Sequence, residues 1–444
     1  MKIPKLVREA IAFGAGTGIS RVLGFIREVM FAYLFGAGIM MDAFRVAFRI
    51  PNLLRDLLAE GTLTPAFIPM FSDYHTHKSK EETTLFVSRI IGVMLLITGI
   101  ITIIGIVFAP IWVKLISFGF TKTPDKFWIT VKLTRIMFPF LIFISISALV
   151  MGILNFFNHF FTTGVASCWF NIAIIACGVL LSKSLGIQSI AIGALIGGTL
   201  QLVYQLPLLH KEKYAPLPKV KFDKDIRRVF YLMLPIAVGY GASKITVIIN
   251  TLIASFLEHG VVSWLSYAFE IMWLPVGIIG VAIANATLPF ASKELSKDNT
   301  DEFSKVLRVS IIYGALGSIV TAVAIWIFAT PICRLVFQRG NFTPQDTIAT
   351  AIALKFYSIG IPGLILARIL ATGFYALKDT KTPMIASFVT VAVNTGFAIT
   401  LVKSLGFKGI PLAASISNLV NTIILGILLK RKFLSLDKQK KEYI

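Results

Sequence analysis

Asp42-Ala43-Phe44-Arg45-Val46-Ala47-Phe48-Arg49-Ile50-Pro51-Asn52-Leu53-Leu54-Arg55-Asp56-Leu57-Leu58-Ala59-Glu60 sets six charged side chains in an otherwise mostly apolar stretch. The run continues to about Phe71, and the run before it, roughly Ile11 to Gly38, adds Arg21, Arg27 and Glu28. Both are long enough to cross a membrane as helices. An arginine near the middle of a membrane helix costs about 2.5–3.5 kcal/mol on insertion scales, so several together do not persist facing lipid. They face water or one another. The arginine fork also matches phosphate oxygens in pairs, which lysine cannot do. A basic pocket at membrane depth therefore points to an anionic, phosphorylated ligand.

The remainder of the chain explains why these runs must be membrane helices. It is 56% hydrophobic and 15% charged, whereas roughly a quarter of residues are charged in soluble domains. Apolar runs able to cross about 30 Å of hydrocarbon recur at 84–113, 127–156, 161–183, 188–209, 229–257, 261–291, 304–333, 348–376, 382–402 and 409–430. With the two charged runs they make twelve helices, the expectation for an all-α polytopic membrane protein. Lys and Arg concentrate in alternate loops: Lys2, Lys5 and Arg8; Lys78 and Lys80; the run from Lys211 to Arg228; Lys293 and Lys297; Lys378 and Lys381; and the tail from Lys430 to Lys441. The other side carries a sparser set that includes Lys114, Lys122, Lys126, Lys183 and Arg334. This bias places both termini in the cytoplasm, and it accounts for much of the +21 net charge without nucleic-acid binding. No cleavable signal peptide is evident at Met1 to Ala10. Cys168, Cys177 and Cys333 lie in apolar runs and read as small hydrophobes.

The two halves echo each other at a spacing of about 220 residues. Pro69-Met70-Phe71-Ser72 matches Pro289-Phe290-Ala291-Ser292, Thr123-Pro124 matches Thr343-Pro344, and the stretch from Gly152 to Asn171 matches that from Gly373 to Asn394. An even number of helices per repeat gives both lobes the same orientation, the parallel repeat that transporters use. The expected organisation is a six-helix lobe over 1–210, a basic cytoplasmic linker over 211–228, a second six-helix lobe over 229–430 and a basic cytoplasmic tail over 431–444. A basic cavity is expected between the lobes.

On a continuous second helix, Asp42, Arg45, Arg49, Asp56 and Glu60 lie near one face, and Pro51 kinks it so that Arg55 swings toward the same cavity. Arg21 and Glu28 share a face of the first helix. The alternative is an internal salt-bridge lattice without a ligand, with Arg45 drawn to Asp42 three residues away. Lys244 and Glu270, also at membrane depth, read as an ion pair across the seventh and eighth helices, structural or gating. His75 and His77 sit in a charged loop and read as solvated. Walker A, GxSxG and HExxH patterns are absent from the sequence, so no enzymatic activity and no cofactor are expected. Energy input falls to an ion gradient, such as sodium, or to the membrane potential.

Ser20-Arg21-Val22-Leu23-Gly24-Phe25-Ile26-Arg27-Glu28, then Phe35-Gly36-Ala37-Gly38, Asp42-Ala43-Phe44, Pro51-Asn52-Leu53-Leu54-Arg55 and Ala59-Glu60-Gly61 resemble the MurJ (MviN) family, bacterial lipid II flippases of the MOP transporter superfamily. The resemblance extends through Gln201 to Pro207, Asn250 to Leu257, Pro275 to Leu288 and Gly373 to Pro383, nearly the whole chain. It implies two six-helix lobes, alternating access, residence in the bacterial inner membrane, and a cargo of undecaprenyl-diphosphate-linked peptidoglycan precursor. It implies functional charges at Arg21, Arg27, Asp42, Arg55 and Glu60, with Glu28 where an Asp is usual and Arg49 and Asn52 beside them. Arg27 and Arg55 are then the diphosphate clamp. The family's cavity arginine on the eighth helix aligns with Glu270 and the Asp before it with Phe269, which leaves Lys244 to supply the missing positive charge. The family commonly carries two further C-terminal helices beyond the twelve read here. The resemblance also implies a monovalent cation site at Asn250, Asp379, Val391 and Thr395, for which capping of a helix by Asp379 is the alternative. Membrane lipids and cell-wall synthesis proteins are the other expected partners. Competing readings are another MOP branch, either a drug/cation antiporter or a flippase for a different polyprenyl-linked glycan, and a membrane scaffold for cell-wall enzymes. An antiporter calls for acidic cavity residues, and a scaffold has no need of arginines at membrane depth.

Overall fold

A computed structural model describes residues 5–60, 62–214, 216–297 and 299–442, and the side chains of all of these except 5–13, 59, 60, 238–240, 242, 243 and 434–442. The side chain of Glu60, those of Lys2, Lys5 and Arg8, and the tail lysines Lys438, Lys440 and Lys441 lie outside the described residues.

No strand occurs among the described residues. The first half of the chain forms α1 (Lys5–Phe35), α2 (Ile39–Arg55), α3 (Leu63–His77), α4 (Lys80–Val107), α5 (Ala109–Ser117), α6 (Pro124–Met137), α7 (Phe140–Phe156), α8 (Phe160–Leu185) and α9 (Gln188–Lys211). After α10 (Lys224–Ser255) come α11 (Val261–Pro275), α12 (Val281–Leu295), α13 (Thr300–Phe337), α14 (Pro344–Ser358), α15 (Ile361–Ala376), α16 (Lys381–Leu405) and α17 (Gly409–Glu442). Every apolar run of the sequence is helical, and the chain is a multi-pass membrane protein. Among the described residues seven helical stretches are long and apolar enough to cross a bilayer, or eight with α14 and α15 taken as one span bent by 41°. The seven exclude α1 and α2, which carry the charge, and they merge α16 with α17.

The second charged run is not one helix. α2 continues past Pro51 to Arg55, Asp56–Glu60 forms a π-helical turn, and α3 starts at Leu63. Proline removes an amide donor and crowds the carbonyl four residues earlier. A wider turn just after it is one way for the backbone to re-pair, and such turns frequently mark functional sites. Asp56 and Glu60 therefore leave the register that the sequence placed them in.

The internal repeat is visible residue by residue. A second π-helical turn, Val276–Gly280, follows Pro275, 220 residues after the first. Gly186 and Gly406 end α8 and α16 with φ of +55° and +59°, and Asn158 and Lys378 precede those helices with φ of +66° and +58°. Arg27 donates to Asn171 across 144 residues, and Asn394 donates to Asn250 across the same 144.

The chain divides into two compact units, Met1–Lys244 with Arg339–Phe342, and Ile245–Gln338 with Thr343–Ile444. The division falls at Lys244, inside α10, and not in the basic stretch 211–228. The reason is packing: Tyr214, Ile226, Val229 and Met233 are buried in the first unit's core with Phe67, Phe71 and Phe86. The stretch between α9 and α10 is strapped down as well. The Lys219 amide donates to Ser88 O at 3.0 Å, Arg89 pairs with Asp223 at 2.6 Å, and the Tyr74 hydroxyl donates to Asp225. The strap lies so close to α4 that a Cβ on Gly92 would stand 2.4 Å from Lys219 O. Gly92→Ala is accordingly expected to lift the strap, read as faster proteolysis between 215 and 222 than in the parent. Equal cleavage rates would show that the strap tolerates the methyl group. Residues 339–342 join the first unit because the Asn341 amide and side chain donate to Tyr33 O and Leu34 O at 2.9 and 2.6 Å. Gly340, at φ +58°, would set a Cβ 2.3 Å from Tyr33 O. The second unit has its own core, built around Phe303, Leu307, Leu370, Phe374 and Leu429.

Candidate functional site

The charged side chains of the first unit are held by four packed helices, α1, α2, α6 and α8, and by the start of the π-helical turn. Glu28 of α1 is 1% exposed. One of its oxygens accepts from Arg27 at 2.8 Å and the other from Arg45 of α2. Arg27 extends its second amino group to Asn171 Oδ1 of α8 at 3.0 Å, and Asn171 is fixed in turn by donating to Ser20 O and Ser167 O at 3.2 and 3.3 Å. Both guanidinium groups lie over the Phe31 ring, 5.6 and 5.5 Å from its centroid. Phe31 packs edge-on against Phe44, and Phe44 stacks on Phe48. An aromatic wall behind the arginines excludes water and adds cation–π attraction.

A second three-member cluster follows Pro51. Asp56 accepts from Arg55 at 3.0 Å on one oxygen and from Lys244 at 2.6 Å on the other. Arg27 and Arg55 keep 18% and 22% of their side-chain surface exposed. Asp42, in the first turn of α2, is fully buried against Lys126 of α6 at 2.7 Å. The Lys126 ammonium also sits 4.1 Å from the Phe120 ring centroid. Asp42 at a helix N-terminus is favoured by the helix dipole as well.

Several expectations are revised. Lys126 is a buried counter-ion and not a loop charge. Arg45 pairs with Glu28 and Lys244 with Asp56, contacts that spacing along the helices did not suggest. Arg21 is exposed although it lies two turns before buried Glu28 on the same nominal face. Arg49 and Asn52 are half-buried on α2. Replacing Asp56 by Lys in a Lys244→Asp background is expected to restore function lost in each single exchange, because the two sites trade charge across one contact. A double exchange no better than the singles would show that the pair is not a unit.

A family model, lipid II flippase MurJ, matches residues 31–443. The chain belongs to the MurJ family. It is 35% identical over 447 residues to the probable lipid II flippase MurJ of Buchnera aphidicola subsp. Acyrthosiphon pisum, covering 99% of this chain and 86% of that one. A solved structure of lipid II flippase MurJ in an inward closed conformation is 29% identical and superposes with a TM-score of 0.82, covering 96% of this chain and 90% of that one. An inward-facing multidrug resistance MATE transporter of the MOP superfamily, 14% identical, shares the fold at a TM-score of 0.79, covering 97% and 99%.

The second unit differs from what MurJ resemblance implied. Glu270, at the position of the expected arginine, is half-buried on α11. An arginine does occur in this unit, on α15: the Arg368 guanidinium lies 5.8 Å from the Trp273 ring centroid, and Trp273 stacks on Phe269. Arg368 escaped notice because a long apolar run surrounds it. Lys126 and Asn171 were missed for a related reason, since each has its partner far away in sequence.

Of the four proposed cation ligands, Asp379 stands apart from the other three. Asp379 caps α16, accepting from the Thr382 amide at 3.0 Å, and pairs with Lys432. The hydrogen bond from Lys432 comes first among the causes that hold its carboxyl down, to about 2. Val391 lies eleven residues into α16 from its cap at Thr380, a separation of about 16 Å at 1.5 Å per residue. Asn250 accepts from Asn394, and the Thr395 hydroxyl donates to Val391 O. No group of three or more His, Cys, Asp or Glu side chains placed to hold a metal occurs among the described residues.

Proposed function

We propose that this chain moves lipid II, the undecaprenyl-diphosphate-linked peptidoglycan precursor, from the cytoplasmic to the outer leaflet of a bacterial inner membrane, with the diphosphate held by Arg27 and Arg55. Membership of the MurJ family supports the cargo. The observation that carries the role of the arginines is that each carboxylate beside them is shared. Glu28 serves Arg27 and Arg45, and Asp56 serves Arg55 and Lys244. Each carboxylate thus holds two cations beside one another, in surroundings where solvent screening is weak. Paired cations with part of their surface open suit the oxygens of a diphosphate.

Arg45 and Arg55 are ten residues apart on α2, about 15 Å along the axis. A group touched by both clusters lies between the turns that carry them, where Pro51 and Asn52 are. Asp42 and Glu60 position the arginines, with Asp42 fixed through Lys126. Transport proceeds by alternating access, with both termini in the cytoplasm and an ion gradient or the membrane potential as the driving force. The chain carries out no covalent chemistry. Expression in cells depleted of their own lipid II flippase tests the assignment: survival with intact cell shape is expected. Lysis despite membrane-inserted protein would sink it. A cysteine placed beside Arg27 is expected to react with impermeant reagents from one side at a time, and simultaneous labelling from both sides in one conformation would refute alternating access.

A further inference from the structure

A second basic cluster of the first unit takes no part in the arginine site. Where α3 ends, α4 begins and α9 ends, Lys78, Lys80, Lys211 and Lys213 line a cavity of about 380 Å³ together with Tyr214 and Phe157. One carboxylate lines it, Glu212, and His159 engages that group at 2.6 Å. Lys80 reaches the Glu212 carbonyl at 3.4 Å and lies 5.5 Å from the Tyr214 ring centroid. Lys78, Lys211 and Lys213 form no ion pair among the described residues. Four ammonium groups around one cavity call for an anion with several oxygen acceptors.

A second cavity, about 460 Å³, also has Tyr214 in its wall. Its walls are apolar: Ile91 and Leu95 of α4, Phe143 and Ile146 of α7, Leu202 and Leu206 of α9, with the strap residue Leu217 at its mouth. The volume falls within the range of about 300–1,000 Å³ usual for ligand sites. All three helices run from the basic cavity toward the apolar one. From Thr83 to Leu95 is twelve residues of α4, about 18 Å, close to the roughly 15 Å of a single leaflet's hydrocarbon. Leu206 and neighbouring Val203 are 44% and 50% exposed, so the cleft opens to the lipid. A cationic cavity and an apolar one that meet at Tyr214 match the two ends of one membrane lipid. They do not match a soluble phosphate, which has no use for the apolar half. Basic pockets between membrane helices are known to take anionic headgroups.

We propose that this cleft binds one anionic phospholipid from the leaflet on its basic side. The phosphate sits among Lys78, Lys80, Lys211 and Lys213, and an acyl chain lies along Leu95, Phe143 and Leu206. Tyr214, Pro216, Leu217 and Pro218 form part of the wall, so an occupied cleft fastens the start of α10 to α4. The inference does not depend on the identity of the cargo.

The test adds dioleoylphosphatidylglycerol or dioleoylphosphatidylcholine to the purified full chain in detergent and counts bound lipid by native mass spectrometry. One phosphatidylglycerol is expected to be retained with about tenfold preference, from an attraction to several lysines. Replacing all four lysines by Ala is expected to bring the two lipids to parity, and replacing them by Arg to keep the preference. Leu206→Trp, which fills the groove and leaves the charge alone, is expected to lower occupancy several-fold. Unaltered preference in the four-alanine variant or full occupancy with Trp at 206 overturns the site. So does displacement of the phospholipid by equimolar glycerol 3-phosphate, which would make it a phosphate site, or by equimolar polyprenyl phosphate, which would give the groove to the cargo's tail.

Discussion

Arg27→Ala and Arg55→Ala are each expected to abolish rescue of flippase-depleted cells while the protein still accumulates in the membrane. Accumulation follows from the shared carboxylates. Without Arg27, Glu28 keeps Arg45; without Arg55, Asp56 keeps Lys244. Neither truncation strands a buried carboxylate, the event that makes loss of one ion-pair partner so destabilising. What disappears is a forked donor aimed at phosphate, where a charged hydrogen bond contributes about 1.5–3 kcal/mol, or roughly a 10- to 100-fold loss of affinity at each site. Arg27→Lys is expected to fall between parent and Ala, because lysine keeps the charge and loses the bidentate geometry. Full rescue by both alanine variants would remove these residues from substrate binding. Loss of protein from the membrane would instead make them structural.

The largest effect on stability is expected at Asp42 and Lys126. Both are buried and joined at 2.7 Å. Asp42→Ala takes from the Lys126 ammonium, and Lys126→Ala from the Asp42 carboxylate, the opposite charge at 2.7 Å in a site closed to water. Removing one member of a buried pair typically costs about 3–5 kcal/mol. The Phe120 ring offers Lys126 partial compensation, so Asp42→Ala is expected to be the milder of the two. Asp42→Leu combined with Lys126→Met, apolar and similar in volume, is expected to recover most of the loss, since a well-packed apolar pair avoids desolvating two charges. Thermal unfolding of the purified variants reads this directly. Single variants that melt with the parent would show that the contact does not contribute to stability.

Much of this protein is legible in its residue order. The helices and their apolar runs follow from composition over windows of twenty residues, and a bilayer permits little besides helices and closed barrels. The parallel repeat is legible because equivalent turns need equivalent residues: Gly186 and Gly406, and Asn158 and Lys378, each take a left-handed conformation at a spacing of 220. The charges of the site stood out as well, since arginines inside apolar runs are costly wherever they lack a partner.

Their pairing was not legible. Spacing along one helix favoured Asp42 for Arg45, yet Glu28, seventeen residues away on another helix, accepts from it. Asp42 found Lys126 across 84 residues, and Arg27 found Asn171 across 144. Asp379 stands at the cap of α16, turns away from Val391 and Thr395, which a list of residue types does not reveal. By itself the sequence determined what the chain is made of: helices, their repeat, their membrane environment and a cluster of arginines within apolar runs, all properties of local composition and period. Only the tertiary structure decided which of these carboxylates and cations meet. Ion pairing depends on distances of a few ångströms and on burial, and those are set by the rotation and packing of helices far apart in the chain.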